Sequence, residues 1–333
     1  MNSPTIDAGF SGRRVLVTGG LGFIGSNLAR RLADLGADVT VMDSQLPQMG
    51  GNPFNLSGYE NRVSVHPVDL RDRIAAAVMA RGKEFVFNLA GQVSHIQSME
   101  DPLADQDINV HGHLSFLETL RRENPSAKIV FAGTRQVYGP PRCLPVDENH
   151  PLNPVDVNAV DKLAAEHFHL LYHRAYGLRC TVLRLTNVYG PRMRVRDNLK
   201  TFIGLWVRQI LDGEEITVYG DGSPVRDLLY VDDAVDAFLL AALHDSSDGQ
   251  VYNVGGDEPI RLVDLAKRMI EINRGGRYVS IPFPAERKKI DIGSYLTDFS
   301  KFRLETGWHP ITRMRDGLDR TLAYYRLHRD RYW

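Results

Sequence analysis

The chain has 333 residues, 43% of them hydrophobic and 24% charged, values near the globular average that leave room for about two domains of ~100–200 residues. Forty basic against forty-one acidic residues give a formal charge of −1, so no field of one sign draws in nucleic acid or an anionic membrane surface. Cys143 and Cys180, the two cysteines, make neither a disulfide framework nor a cysteine zinc site. His167 and His169 lie two apart in a helical pattern and point to different faces, which argues against a metal pair. The N-terminus lacks the basic start and apolar run of a signal peptide, and the apolar windows fall short of the ~18 residues a bilayer span needs. The expectation is a cytoplasmic protein with no metal, no membrane partner and no nucleic-acid partner.

Short β-branched runs then alternate with helical patterns. Val15 to Thr18 predicts a strand, and Phe23 to Leu35 carries apolar residues at helical spacing. Further strands are expected at Val39 to Met42, Val63 to His66, Phe85 to Ala90, Lys128 to Gly133 and Cys180 to Leu185. Nearly continuous apolar runs mark strands buried on both faces, and strand–helix repetition marks parallel pairing. The fold class is therefore α/β, a doubly wound parallel (Rossmann) sheet. After Leu185 the rhythm is broken by Pro191, the Asp221 to Pro224 turn, Pro259, Pro282 and Pro284. Residues 1–185, with a returning segment near 228–255, are expected to form the nucleotide-binding domain. Residues 186–333 would form a smaller, interleaved C-terminal α/β lobe.

The first strand runs into Thr18-Gly19-Gly20-Leu21-Gly22-Phe23-Ile24-Gly25, within which a helix opens. Gly19, Gly22 and Gly25 allow a tight turn, close backbone approach to a pyrophosphate, and packing of helix on strand. Asp43 ends the next strand, eighteen residues past Gly25. A carboxylate there accepts the ribose hydroxyls and repels a 2′-phosphate, which selects NAD over NADP.

With these glycines the sequence resembles the extended short-chain dehydrogenases, specifically the NAD-dependent nucleotide-sugar epimerases and dehydratases. Asp69-Leu70, Leu89-Ala90-Gly91, Asn109-Val110, Val137-Tyr138-Gly139 and Asn187-Val188-Tyr189-Gly190-Pro191-Arg192 are similar to that family's motifs. So are Tyr219-Gly220-Asp221-Gly222, Arg226-Asp227, Tyr230-Val231-Asp232-Asp233 and Gly307-Trp308-His309-Pro310, and the resemblance covers almost the whole chain. It implies that Phe23 and Ile24 of the turn, Asp69 and Leu70, and Leu89 to Gly91 lie against the cofactor. It also implies a homodimer made through two long helices, Leu103 to Arg122 and Asn158 to Tyr176. The implied activity is epimerisation of a nucleotide-diphosphate sugar through a transient keto-sugar, with tightly bound and recycled NAD. Dehydration or decarboxylation on the same scaffold is the alternative.

The family pattern also implies a Tyr-x-x-x-Lys pair on one helix face. Lys162 matches the lysine, but Asn158 stands four residues before it, and no tyrosine occurs between Tyr138 and Tyr172. An amide neither gives nor takes a proton at neutral pH, which leaves open a catalytically silent NAD- and nucleotide-sugar-binding protein. Thr134 is the candidate hydroxyl. Arg135 and Gln136 occupy the places of the Asp-Glu pair of the 4,6-dehydratases, so Arg135 is either a binder of a substrate carboxylate or oxyanion, or an interdomain ion pair. His95, beyond the fourth strand, is a candidate proton carrier. Asn187 and Arg226 match residues near the substrate diphosphate, and Arg287 or Lys288 lies where relatives place a second arginine. Asp161 reads as a helix charge, and Phe202 to Trp206 with Ile216 to Tyr219 as walls around the base.

Overall fold

The computed structural model describes residues 6–47, 49–197 and 201–333. Seven parallel strands form the main sheet: β1 (Arg14–Thr18), β2 (Asp38–Met42), β3 (Val63–His66), β4 (Phe85–Asn88), β5 (Lys128–Thr134), β6 (Arg179–Leu185) and, after three intervening strands, β10 (Val251–Val254). Their order is β10-β6-β5-β4-β1-β2-β3, so the order reverses between β1 and β4. In an open α/β sheet that reversal leaves a crevice beyond the carboxyl ends of the two strands. Val15, Leu16 and Val17 of β1 are fully buried because helices cover both faces, as continuous apolar strands require.

β7 (Asn187–Tyr189) and β9 (Val225–Tyr230) pair in parallel, and β11 (Pro259–Arg261) adds to β9 antiparallel. β8 (Ile216–Tyr219) and β12 (Tyr278–Ile281) form a separate parallel pair. The Val231–Leu243 helix packs on the Phe23–Asp34 helix, and β10 extends the main sheet beside β6. A second hydrophobic cluster, including Tyr189, Trp206, Met269, Leu318 and Tyr325, lies apart from the main-sheet core. Trp206 is 3% exposed and donates Nε1–H to the Thr217 carbonyl at 2.9 Å. It is therefore a core residue of this cluster and not a wall of an open nucleotide site.

Helix boundaries follow local chemistry. Asp156 caps the Val157–Tyr176 helix by accepting the Ala159 N–H at 2.8 Å, and Gly177 ends it in the left-handed region at φ 73°, a C-terminal geometry that favours glycine. The expected Leu103 to Arg122 helix is in fact Pro102–Gln106, a wide π turn at Asp107–His111, and Gly112–Glu123. Strand β4 stops at Asn88, two residues short of expectation. Leu89 and Ala90 leave the ladder and donate their N–H groups to Thr18 Oγ1, each at 3.1 Å.

Candidate active site

One cleft at the reversal point collects the turn residues Gly19, Gly22, Phe23, Ile24 and Gly25 with Asp43, Asp69, Leu70 and Leu89 to Gly91. The turn is tight enough to dictate glycine: a Cβ on Gly25 would stand 2.3 Å from the Gly19 carbonyl oxygen. Gly22 precedes the Phe23–Asp34 helix and offers no capping side chain. The first helical N–H groups are thus left to an anion, as a pyrophosphate site needs. Asp43 accepts the Leu21 N–H at 3.0 Å and the Gln45 N–H at 2.9 Å, which fixes the carboxylate at the mouth of β2. Asp69 is held by Arg71 at 2.7 Å, and the guanidinium's hydrogen bonds keep its carboxyl below the usual range. These residues fit a dinucleotide along the reversal point.

Thr134, Arg135, Asn158, Lys162, His95 and Asn187 line the same cleft. Lys162 is 5% exposed, with Nζ 4.4 Å from the centre of the Phe131 ring. Burial pulls its ammonium down to about 8, against the opposing pull of Asp105 and Glu166. Beneath it the Phe131 ring stacks on His169 at 4.2 Å, and the Asn88 amide bridges His113 at 3.0 Å and His169 at 3.1 Å. Burial and the Lys162 charge push His169 down to about 4. The layer under the lysine is therefore neutral, and His169 is a satisfied core residue.

His95 Nδ1 lies 3.0 Å from Asp156 Oδ1. The Asp156 side chain is fully buried, and it also accepts from Ala159 N–H at 2.8 Å and from Gln136 Nε2 at 3.3 Å. Burial alone raises that carboxyl, yet His95 and the other donors outweigh it and hold it below the usual range. Asp156 was not singled out from the sequence. Its place before a helical run marks a cap, but its pairing with a histidine 61 residues away is set by the fold. Thr134 Oγ1 accepts the Gln136 N–H at 3.2 Å, leaving its own hydrogen for a ligand.

Several site residues differ from expectation. Asn158 does not present a free amide: its Nδ2 donates to the Gln92 carbonyl at 2.8 Å and to Asp105 Oδ1 at 3.2 Å. Asp161 is not a solvated helix charge. It is buried, and burial together with Asp105 pushes its carboxyl up to about 7. Arg226, Arg287 and Lys288 do not line the cleft. Arg226 is buried and tethered by the Val225 carbonyl at 3.0 Å and by the Gly293 carbonyl. The Arg287 guanidinium rests 5.6 Å from the Tyr219 ring centre, and Lys288 is exposed. Tyr138 is buried, its hydroxyl donating to Asn253 and accepting from Arg184, each at 2.7 Å. Among the described residues, no group of three or more His, Cys, Asp or Glu side chains could hold a metal ion, and no helix is long and apolar enough to cross a membrane.

Comparison with known proteins agrees with this geometry. The chain is 33% identical over 315 residues to a putative UDP-glucose 4-epimerase of Methanocaldococcus jannaschii, covering 93% of this chain and 97% of the relative. It is also 33% identical to a dTDP-glucose 4,6-dehydratase of Streptomyces griseus, over 96% of this chain and 95% of that one. The crystal structure of the Thermotoga maritima UDP-glucose 4-epimerase with UDP-glucose superposes with a TM-score of 0.87 at 31% identity, covering 94% of this chain and 99% of that one. Residues 15–255 match the profile of the NAD dependent epimerase/dehydratase family. With the glycine turn, Asp43 and Lys162 gathered at one cleft, the chain belongs to that family.

Proposed function

We propose that the protein is a nucleotide-diphosphate-sugar epimerase that works through a transient keto-sugar with bound, recycled NAD. The observation that carries this reading is the gathering of Thr134, Lys162 and the His95–Asp156 pair on the cleft that holds the glycine turn. Bound NAD would supply a reversible hydride acceptor for a carbon of the sugar. Lys162 holds the nicotinamide end by its charge, and Asp43 holds the adenosine ribose. Residues 1–185 with 228–255 carry the cofactor, and the remaining lobe carries the sugar nucleotide, with Asn187 facing its diphosphate and Arg226 behind.

Asn158 holds the place of the family's tyrosine. Both of its amide hydrogens are taken by Gln92 and Asp105, so it meets a ligand only as an acceptor through Oδ1. The proton needs another carrier. His95 donates Nδ1–H to Asp156, which leaves Nε2 to take the proton of the reacting hydroxyl and give it back on the return step. A buried carboxylate on one ring nitrogen fixes which nitrogen reacts. Thr134 Oγ1 orients the same hydroxyl.

The helices that follow β4 and precede β6 expose Leu103, Val160 and Leu171. These apolar side chains support a homodimer made through the Pro102–Glu123 and Val157–Tyr176 segments.

The test is incubation of the purified protein with NAD and UDP-, dTDP-, GDP-, CDP- and ADP-sugars in deuterated water, read by proton NMR and mass spectrometry. An isomer without deuterium is the expected product. Loss of water or carbon dioxide would name a dehydratase or decarboxylase instead. Thermal protection by a sugar nucleotide without any conversion would make the protein a binder, a reading that the engaged Asn158 amide favours.

A further inference from the structure

Asp43 stands at the end of a hydrogen-bond chain that starts in the other hydrophobic cluster. Its Oδ2 accepts the Leu21 N–H at 3.0 Å. The carbonyl of the same Leu21 accepts from the Asn52 N–H at 3.0 Å and from Asn55 Nδ2 at 2.9 Å. Asn55 is fully buried, and its Nδ2 also meets the Arg192 carbonyl at 3.4 Å. Both neighbours of that nitrogen are carbonyls, which only accept, so the amide has one orientation. Its Oδ1 is turned to Tyr332, whose hydroxyl donates to it at 2.6 Å from 277 residues along the chain.

Tyr332 is itself anchored. The Tyr324 hydroxyl lies 2.7 Å from its own, and Tyr324 is the donor because the Tyr332 proton goes to Asn55. The Tyr332 ring meets the Tyr325 ring edge-on at 5.0 Å, and Asn52 Nδ2 donates to the neighbouring Arg331 carbonyl at 3.2 Å. Tyr332 belongs to the cluster of Trp206 and Leu318, whereas Leu21 belongs to the main-sheet core. The Asn55–Tyr332 bond therefore joins the two cores beside the carboxylate at the mouth of β2. Gly51 closes the other side of that carboxylate: a Cβ on it would stand 3.2 Å from Asp43 Oδ1. A shift of the 51–55 segment thus changes what touches both oxygens of Asp43. Leaving a buried acceptor without its donor is costly, so Asn55 deprived of the Tyr332 hydroxyl moves toward another partner and loosens its grip on Leu21.

Resting on the reading of Asp43 as the ribose acceptor, we propose that Tyr332 is a positioning residue for NAD, acting through Asn55 and Leu21 to aim the Asp43 carboxylate. Neither Tyr332 nor Asn55 lines the cleft. Their effect reaches the cofactor through the Leu21 main chain alone, and it makes the second lobe a determinant of dinucleotide choice.

The test is a double-mutant cycle on the affinities of the full chain for NAD and NADP, read by calorimetry. Tyr332→Phe keeps the ring and removes the hydroxyl. It is expected to weaken NAD about threefold to tenfold, the size of one neutral hydrogen bond, and to narrow the advantage over NADP. In an Asp43→Ala background the same change should cost nothing further, because the carboxylate it positions is gone. Equal losses for NAD and NADP, or a loss that adds to that of Asp43→Ala, would make Tyr332 a packing residue only and overturn the proposal. If Asp43→Ala weakens NAD while Tyr332→Phe is silent, the proposal falls and the ribose reading stands. If Asp43→Ala leaves the selectivity unchanged, both fall together. The wild type gives a reading that needs no variant: by reciprocal linkage, NAD should slow hydrogen–deuterium exchange over Arg329–Tyr332 more than over the Leu262–Asn273 helix of the same lobe. Equal slowing of the two segments overturns the proposal even if Tyr332→Phe fails to fold.

Discussion

The two ends of the cleft are built on different logics. At the β1–β2 end the backbone does the work: the Gly19–Gly25 turn and the N-terminus of the Phe23–Asp34 helix offer N–H groups, and Asp43 stands pinned by two main-chain donors. At the β5 end the work falls to side chains whose partners come from elsewhere in the chain. His95 meets Asp156, Asn158 meets Asp105 and Gln92, and Arg135 meets Asn187 and Tyr295. A main-chain site constrains a few adjacent positions strongly, because any Cβ on Gly25 collides with the Gly19 carbonyl. A side-chain site can exchange one proton carrier for another as long as a hydrogen-bond partner is within reach. That difference explains how the dinucleotide end keeps its pattern while an asparagine stands four residues before Lys162.

The largest expected effect tests the side-chain end. His95→Phe should lower turnover by about 10²–10⁴-fold, the size of a lost general acid–base group. Cofactor binding, followed by NAD-dependent thermal shift, should stay close to wild type. A rate loss under tenfold would remove His95 from proton transfer. Asp156→Asn comes next, because asparagine also caps a helix well but has no charge to hold the Nδ1 proton. We expect a loss of about 10²-fold or more in turnover, from the wrong tautomer, with little change in melting temperature. Equal losses of stability and rate would mean that Asp156 serves only as the helix cap.

A smaller effect tests the main-chain end. Asp43→Ala removes the carboxylate proposed to accept two ribose hydroxyls and to repel a 2′-phosphate. Hydrogen bonds to a charged group contribute about 1.5–3 kcal/mol, so NAD affinity should fall about tenfold or more and its advantage over NADP should narrow. Unchanged selectivity in competition binding would assign the ribose contact to another residue.

The same contrast sets how much could be read from the sequence. The six leading strands and the glycine turn were legible because they are local: apolar runs with helical spacing between them, and glycines at fixed offsets from a strand. The helix over 102–123 was placed correctly, but its π turn was not, since nothing at Asp107–His111 breaks the helical pattern. Lys162 and Thr134 were legible as candidates through the resemblance to the family's pattern, and His95 through its place beyond the fourth strand. Their environment was not, because it depends on contacts across 20 to 70 residues. Asp156 supplies the partner of His95 from beyond β5, and the burial of Asp161 comes from a helix that precedes β5. Arg287 and Lys288 illustrate the reverse case: the family resemblance singles out this basic run, yet neither side chain lines the cleft, Arg287 resting against the Tyr219 ring and Lys288 being exposed.

Asp161 gives the smallest effect and the one most specific to the side-chain end. On the Val157–Tyr176 helix it faces Asp105 of the Pro102–Gln106 helix, next in sequence to Lys162 and one turn from Asn158. Burial and the Asp105 carboxylate raise Asp161 to about 7, far above the usual value near 4. A folded state that holds this proton more tightly than the unfolded chain gains stability that is fully present below about pH 4 and lost as pH rises through about 7. Asp161→Asn keeps the shape and removes the ionisation. It should therefore match or approach the wild type at pH 5 and melt higher by about 2 °C or more at pH 8, as scanning calorimetry across that interval would show. A variant curve parallel to the wild type from pH 5 to 8 would mean that Asp161 is already ionised in the folded protein, with the charge of Lys162 and not a shared proton balancing the carboxylate pair.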